Sequence, residues 1–289
     1  MIKGGRREMA TESDQNLFVQ NSREGNLKAV KQALDGGMDP NATDEYGNLA
    51  LIEAAKRDHR EMVRLLINSG ADIEGKDKKF GGTALIWASL KGHIRAVELL
   101  LENGANLDAR ENKNGMTPIV LAAVQGQNKI VGLLLEKGAD IESADKDGRT
   151  PLMWAAHHGH VSVAKLLIGR GANLEAADDQ FGMNALMSAV AQNQTPVVEA
   201  LLNNGAKINA RMKDRRTALM LAALLGHVDA VKLLLERGAE VNARDSGQYT
   251  ALSLTKVHKK TDIVEILEKA GGVEGKNIEK KTVRKYQIK

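Results

Sequence analysis

The chain has 289 residues, 3% aromatic and 27% charged, with a formal net charge of +4 and no cysteine. The lack of cysteine excludes disulfide scaffolds, thiolate metal sites and cysteine nucleophiles, and no stretch approaches the roughly 20 apolar residues of a membrane span. With so few rings, Leu, Ala, Ile and Val must do the packing, which favours short helices in close contact.

The charge is unevenly placed. Residues 1–15 form an N-terminal extension with three basic and three acidic groups. Its basic start has no apolar run behind it, so no intact secretory signal is read there. Met9 is an alternative translation start. A cytoplasmic location is expected, with an already removed export signal left open. Residues 273–289 form a basic tail with six Lys or Arg and two Glu, so they hold all of the net charge and the body sums to zero. A solubilising end is expected of the tail. Its Lys276, Lys280, Lys281, Arg284 and Lys285 also leave open a tether to nucleic acid or an anionic membrane.

Between these ends, over residues 16–272, the sequence repeats itself. Units are read near 16–42, 43–75, 76–109, 110–143, 144–176, 177–210, 211–243 and 244–272. The first, Asn16 to Ala42, lacks the tags of the others and reads as an N-terminal cap. From the third unit on, Thr83-Ala84-Leu85, Thr117-Pro118-Ile119, Thr150-Pro151-Leu152, Thr217-Ala218-Leu219 and Thr250-Ala251-Leu252 recur, with Leu49-Ala50-Leu51 and Asn184-Ala185-Leu186 as weaker copies. Each is a helix N-cap followed by a first helical residue that tolerates proline. Nine residues after the cap come Gly92-His93, Gly159-His160 and Gly226-His227, where glycine ends the first helix. A second helix with apolar residues at helical spacing follows. It stops at Gly-Ala tags such as Gly70-Ala71, Gly104-Ala105, Gly138-Ala139, Gly171-Ala172, Gly205-Ala206 and Gly238-Ala239, spaced 33 or 34 residues apart. Three units carry an extra loop residue, in Lys78–Gly81, Asn112–Gly115 and Asp179–Gly182, so longer fingertips are expected. The last unit, with Thr255, Lys256, His258, Lys259 and Lys260, has the polar face of a C-terminal cap. Helices this short fall below the roughly 12–15 residues at which an isolated helix is even marginal, so stability must come from stacking.

The 33-residue period, the Thr-Pro-Leu tag, the Gly-His and the Gly-Ala-Asp/Asn together resemble the ankyrin-repeat family. The resemblance implies an all-α solenoid of about eight helix-turn-helix units with projecting β-hairpin loops, and a concave face. The family's usual His after Thr-Pro-Leu is replaced by Ile52, Ile86, Val120, Met153, Met187, Met220 and Ser253. A loop-supporting hydrogen bond should be lost there and packing gained.

Catalytic motifs are missing. No Gly-x-Ser-x-Gly elbow or His-Glu-x-x-His pair occurs. Gly271 to Lys276 is one residue short of a phosphate loop, and Asp145-Lys146-Asp147-Gly148 lacks the downstream ligands of a calcium loop. No enzyme, cofactor or metal site is expected, and His157, His158 and His160 are read as a surface patch around one structural histidine. The resemblance implies binding of another protein through hairpin tips and first helices, by an adaptor, scaffold or inhibitor that is monomeric when unbound. Nucleic acid is not expected as its main partner. Carried onto this sequence, the binding positions are Tyr46, Phe80, Met116, Arg149, Phe181, Met183, Arg216 and Tyr249 at the tips. On the first helices they are Arg57, Trp87, Lys91, Trp154, His157 and His158. Aromatics, Met and Arg are what interface hot spots favour, and the groove of the third to sixth units is the expected centre. A small molecule stacked on Trp87 or Trp154, with Lys91 meeting its charge, is the alternative.

Overall fold

A computed structural model describes residues 10–258 and 260–275. Residues 1–9, Lys259 and the tail positions Lys276 to Lys289 lie outside the described residues, and with them the tether reading. The chain divides into two compact units, residues 1–146 and 147–289. The first holds α1 (Glu12–Glu24), α2 (Leu27–Asp35), α3 (Ala50–Ala55), α4 (Arg60–Asn68), α5 (Ala84–Lys91), α6 (Ile94–Glu102), α7 (Pro118–Val124) and α8 (Asn128–Glu136). The second holds α9 (Pro151–His157), α10 (Val161–Gly169), α11 (Ala185–Ala191), α12 (Thr195–Asn203), α13 (Ala218–Leu225), α14 (Val228–Glu236), α15 (Ala251–Val257) and α16 (Thr261–Lys269). Among the described residues no helix is long and apolar enough to cross a membrane.

Most tags do what their chemistry dictates, Thr117 and Leu49 excepted, which make no side-chain cap. Thr83, Thr150, Thr217 and Thr250 are extended residues whose hydroxyls accept the N–H three positions on, and Asn184 does the same with its amide oxygen. Pro118 and Pro151 open α7 and α9 without forfeiting a helix bond. Gly92 ends α5 with φ 81°. At the same register Asp58 (φ 57°) and Asn193 (φ 54°) take the left-handed conformation without being glycine. Asp58 offsets that strain, because its carboxylate accepts the N–H of Ala96 at 3.1 Å.

First helices pack on first helices and second helices on second helices. Within the first unit α5 lies between α3 and α7, and α6 between α4 and α8; within the second, α11 and α13 lie inside α9 and α15. The inner faces are lined by alanines, among them Ala54, Ala88, Ala122, Ala155, Ala189 and Ala222, all fully buried, which lets the backbones approach. At least one aliphatic residue per second helix is fully dry: Val30, Leu66, Leu100 and Leu134 in the first unit, Leu167, Leu201, Leu234 and Leu267 in the second. Ile52, Ile86, Val120, Met153, Met187 and Met220, where the family usually has His, are buried too.

Adjacent repeats are also tied by polar bonds. The rings of His59, His93 and His227 meet the carbonyl oxygens of Arg23, Lys56 and Ala191 through Nε2 at 3.1, 2.9 and 3.4 Å. Those carbonyls sit at or near the C-terminal ends of the preceding first helices, where intrahelical partners run out. This is the reason for the Gly-His tag, and His59 performs the role after an Asp. Each loop also donates one backbone N–H to the loop before it, from Lys78 to Gly47, Asn112 to Phe80 and Lys146 to Asn114 in the first unit. The second unit repeats this from Asp179 to Asp147, Lys213 to Phe181 and Ser246 to Asp214.

Two expectations need revision. The loops turn back as hairpins, but they close on isolated backbone bonds, such as Asp77 N–H to the Gly82 carbonyl at 3.1 Å and Gly81 N–H to the Asp77 carbonyl at 2.9 Å. Among the described residues the lone bridge is Thr43–Leu49, and no strand forms. The first helix begins at Glu12, ahead of Asn16, because Thr11 and Asp14 form a reciprocal capping box. At the other end, Val273 donates its N–H to Asn242 and Gly275 donates to the Ser253 hydroxyl, so residues 273–275 are bound to the last two repeats.

Removing one inter-repeat histidine bond should cost about 1–3 kcal/mol, since the carbonyl is left unsatisfied. His93→Ala is therefore expected to lower the urea denaturation midpoint clearly, while Lys91→Ala, two residues away and exposed, changes stability by less than about 0.5 kcal/mol.

Candidate interaction surface

An acidic residue stands just before each loop at Asp44, Asp77, Glu111, Asp145, Asp178 and Asp245, with Met212 as the exception. Asp77, 4% exposed, shows what it does. Its carboxylate accepts the N–H of Phe80 at 2.7 Å and of Gly82 at 3.0 Å, which folds the lengthened fingertip around it. It also accepts the indole N–H of Trp87 at 2.7 Å. The loop and the first helix behind it are thereby locked together, and Trp87 is held in one orientation.

Around that anchor the first unit assembles a small aromatic and cationic cluster. Phe80 meets Trp87 edge-on, with ring centroids 5.6 Å apart. Lys56, from the preceding repeat, places Nζ 4.3 Å from the Trp87 ring centroid, and Lys79 lies 5.0 Å from that of Phe80. Both are cation–π distances. Lys56 is itself bonded to Glu53 at 2.8 Å, whose other oxygen takes the Arg23 guanidinium at 2.8 Å. Burial would raise the Glu53 carboxyl, but the hydrogen bonds from Lys56 and Arg23, and then their charges, outweigh it and hold it below its ordinary value. Glu53 is thus a fixed anion beneath the surface.

The second unit builds a different cluster. Trp154 stacks on His158 at 5.8 Å and 12° and meets His157 edge-on at 5.8 Å. His157 and His158 are 4.9 Å apart, and His158 and His160 5.9 Å. Arg149 lies 5.2 Å from the Trp154 ring. Burial, His158 and Arg149 hold His157 below its ordinary value, and burial and His160 do the same to His158. Among the described residues no group of three or more His, Asp or Glu is placed to hold a metal ion.

The positions expected from sequence divide accordingly. Tyr46 (70%), Phe80 (36%) and Phe181 (47%) are exposed at fingertips, and Arg57, Lys91 and His158 are exposed at helix ends. Trp87, Arg149, Trp154, His157 and Met183 are half-buried. Arg216 is half-buried and paired with Asp214 at 2.6 Å. Met116 and Tyr249 correct the expectation, since both are only 7% exposed. They follow the turn, and their N–H groups bond to Glu111 and Asp245, so they close the loop from beneath. Trp87 and Phe80 are in contact, and so are Arg149, Trp154, His157 and His158. Sequence reasoning passed over Asp77, Glu53, Lys56 and Arg23. The signals were present: the acids recur at one register, and Glu53 occupies the register of Trp87 and Trp154.

The Asp77–Trp87 lock can be tested optically. Asp77→Ala removes the acceptor, and in Gly82→Ala the new Cβ would stand 2.7 Å from the indole nitrogen. In a Trp154→Phe background both should red-shift Trp87 emission, whereas Tyr46→Ala should not. The histidines give a pH test. Unfolded, both titrate near about 6.5; folded, they protonate only at lower pH. Below about 6.5 the unfolded chain therefore binds more protons, and stability falls as pH drops through that window. A His157→Gln/His158→Gln variant should lose less of its thermal midpoint than the parent on going from about pH 7.5 to about pH 5.

A family model described as ankyrin repeats (3 copies) matches residues 17–111, 70–145, 108–178, 139–212, 174–245 and 205–282 in overlapping registers. Such repeats are in general protein–protein interaction modules, and typically non-catalytic. With the tags, the capped helix pairs and the linked fingertips, this shows that the chain belongs to the ankyrin-repeat family.

Proposed function

We propose that the chain is a non-catalytic adaptor, scaffold or inhibitor that captures a partner protein on its fingertips and first helices. The observation that carries this reading is the Phe80–Trp87 pair, exposed at its edge and oriented from below by Asp77. An aromatic held in one rotamer loses little entropy on binding, which is what makes rigid rings effective anchors. Trp154 with Arg149, His157 and His158, and the exposed Phe181, give the second unit a contact set of its own. A stacked small molecule is less well served, because Lys56 already covers the Trp87 ring and the indole N–H is committed to Asp77.

Capture from a native extract, read by mass spectrometry, tests the reading. The parent chain should retain a protein that a Phe80→Ala/Trp87→Ala/Phe181→Ala variant of equal helicity does not. Identical recovery by both would remove this surface from consideration.

A further inference from the structure

The cleft in front of Trp87 has a charge out of keeping with the chain around it. Its walls are Trp87, Asn48, Glu53 and the four cations Arg23, Lys56, Arg57 and Lys91, enclosing about 540 Å³. Glu53 is the sole acid, its side chain is 6% exposed, and Arg23 and Lys56 occupy its two oxygens. Arg57 and Lys91 are exposed, and among the described residues neither has an ion-pair partner. The carboxylates next to the cleft are turned into the protein. Asp77 is spent on the fingertip and the indole, Asp44 on the N–H groups of Tyr46 and Asn48, and Asp58 on that of Ala96. Lys78 and Lys79 are exposed on the adjoining fingertip. Yet residues 16–272 have no net charge, since the tail holds it all. The acids of this face are committed to loops and to Arg23 and Lys56, while Arg57 and Lys91 face water.

We propose that this cleft binds an acidic segment of the partner protein, with carboxylates on Arg57 and Lys91 and an apolar side chain at the exposed edge of the Phe80–Trp87 pair. The inference rests on the reading that this face binds protein, and adds the chemistry of what it binds. Arg57 and Lys91 hold the same register in successive repeats, just past α3 and at the end of α5, which pack together. Packed helix axes lie about 8–10 Å apart, a span that about three extended residues cover. Carboxylates two or three positions apart on an extended segment therefore match the two cations. Trp87 lines the same cleft, one helical turn before Lys91 on α5, within reach of a side chain next to the carboxylates.

The test uses the full chain with Trp154→Phe, so that Trp87 is the sole tryptophan reporter. Three probes are titrated: a synthetic peptide of Glu and Asp around one Leu-Phe pair, the same peptide with Lys for each acid, and a uridine oligonucleotide. Expected is a saturable change in Trp87 emission with the acidic peptide, none with the basic one, and affinity that falls as salt rises. An Arg57→Glu/Lys91→Glu double variant should weaken the acidic peptide about tenfold or more. The inference is overturned if the acidic peptide does not bind, if the basic one binds equally, if the oligonucleotide binds more tightly, or if the double variant is unchanged. Extract capture separates the two readings. A double variant that keeps the parent's partner, while the aromatic variant loses it, defeats the acidic segment and leaves the protein-binding surface standing.

Discussion

No repeat in this chain buries its own apolar face. A nine-residue second helix such as Ile94–Glu102 is too short to hold its hydrogen bonds alone. It persists because α6 is packed between α4 and α8, whose Leu66 and Leu134 are, like Leu100, fully buried. Everything else follows from that nearest-neighbour dependence. Alanines are needed where backbones approach, side-chain caps open first helices such as α5, α9, α11, α13 and α15, and orphan carbonyls at helix ends must find partners in the next repeat. The histidine bonds from His59, His93 and His227 and the loop-to-loop backbone bonds are the polar half of the same stacking.

The carboxylates are where stacking and surface chemistry meet. In a protein without strands among its described residues, the loops lack a ladder to hold them. Asp44, Asp77, Glu111, Asp178 and Asp245 substitute for it by gathering backbone N–H groups. Desolvating a carboxylate is costly unless its oxygens are bonded, and here they are. Using acids in this way leaves Lys and Arg over-represented on the outer side of the same loops and helix ends. The cationic cleft at Trp87 and the buried Asp77 beneath it are thus consequences of one local design.

The two tryptophans hold one register yet have different surroundings. Trp87 is preceded by the longer loop, which brings Phe80 to its edge, and its N–H finds Asp77. Trp154 follows a shorter loop in which Arg149 approaches the ring, and its neighbours along α9 and just beyond are His157 and His158. One extra residue at a fingertip and two side chains at a helix end give the two units separate contact chemistries on a common backbone.

Much of this was legible in the residues. The period, the caps, the helix-ending glycines and the lengthened loops are local, because each depends on conformational preferences within a few positions. Exposure at the tips was legible for Tyr46, Phe80 and Phe181, and not for Met116 and Tyr249, which lie past the turn and tuck under it. What required tertiary structure was which side chains meet: that Lys56 covers the next repeat's tryptophan, that Glu53 is held between Arg23 and Lys56, and that Asp77 serves a loop and an indole together. Those contacts join residues 3 to 31 positions apart, counting from Glu53–Lys56 to Lys56–Trp87. A repeating sequence specifies that neighbours will stack, since the apolar faces demand it. Which side chains then meet is decided by the register and rotation of one repeat on the next, and that exists only once the stack is formed.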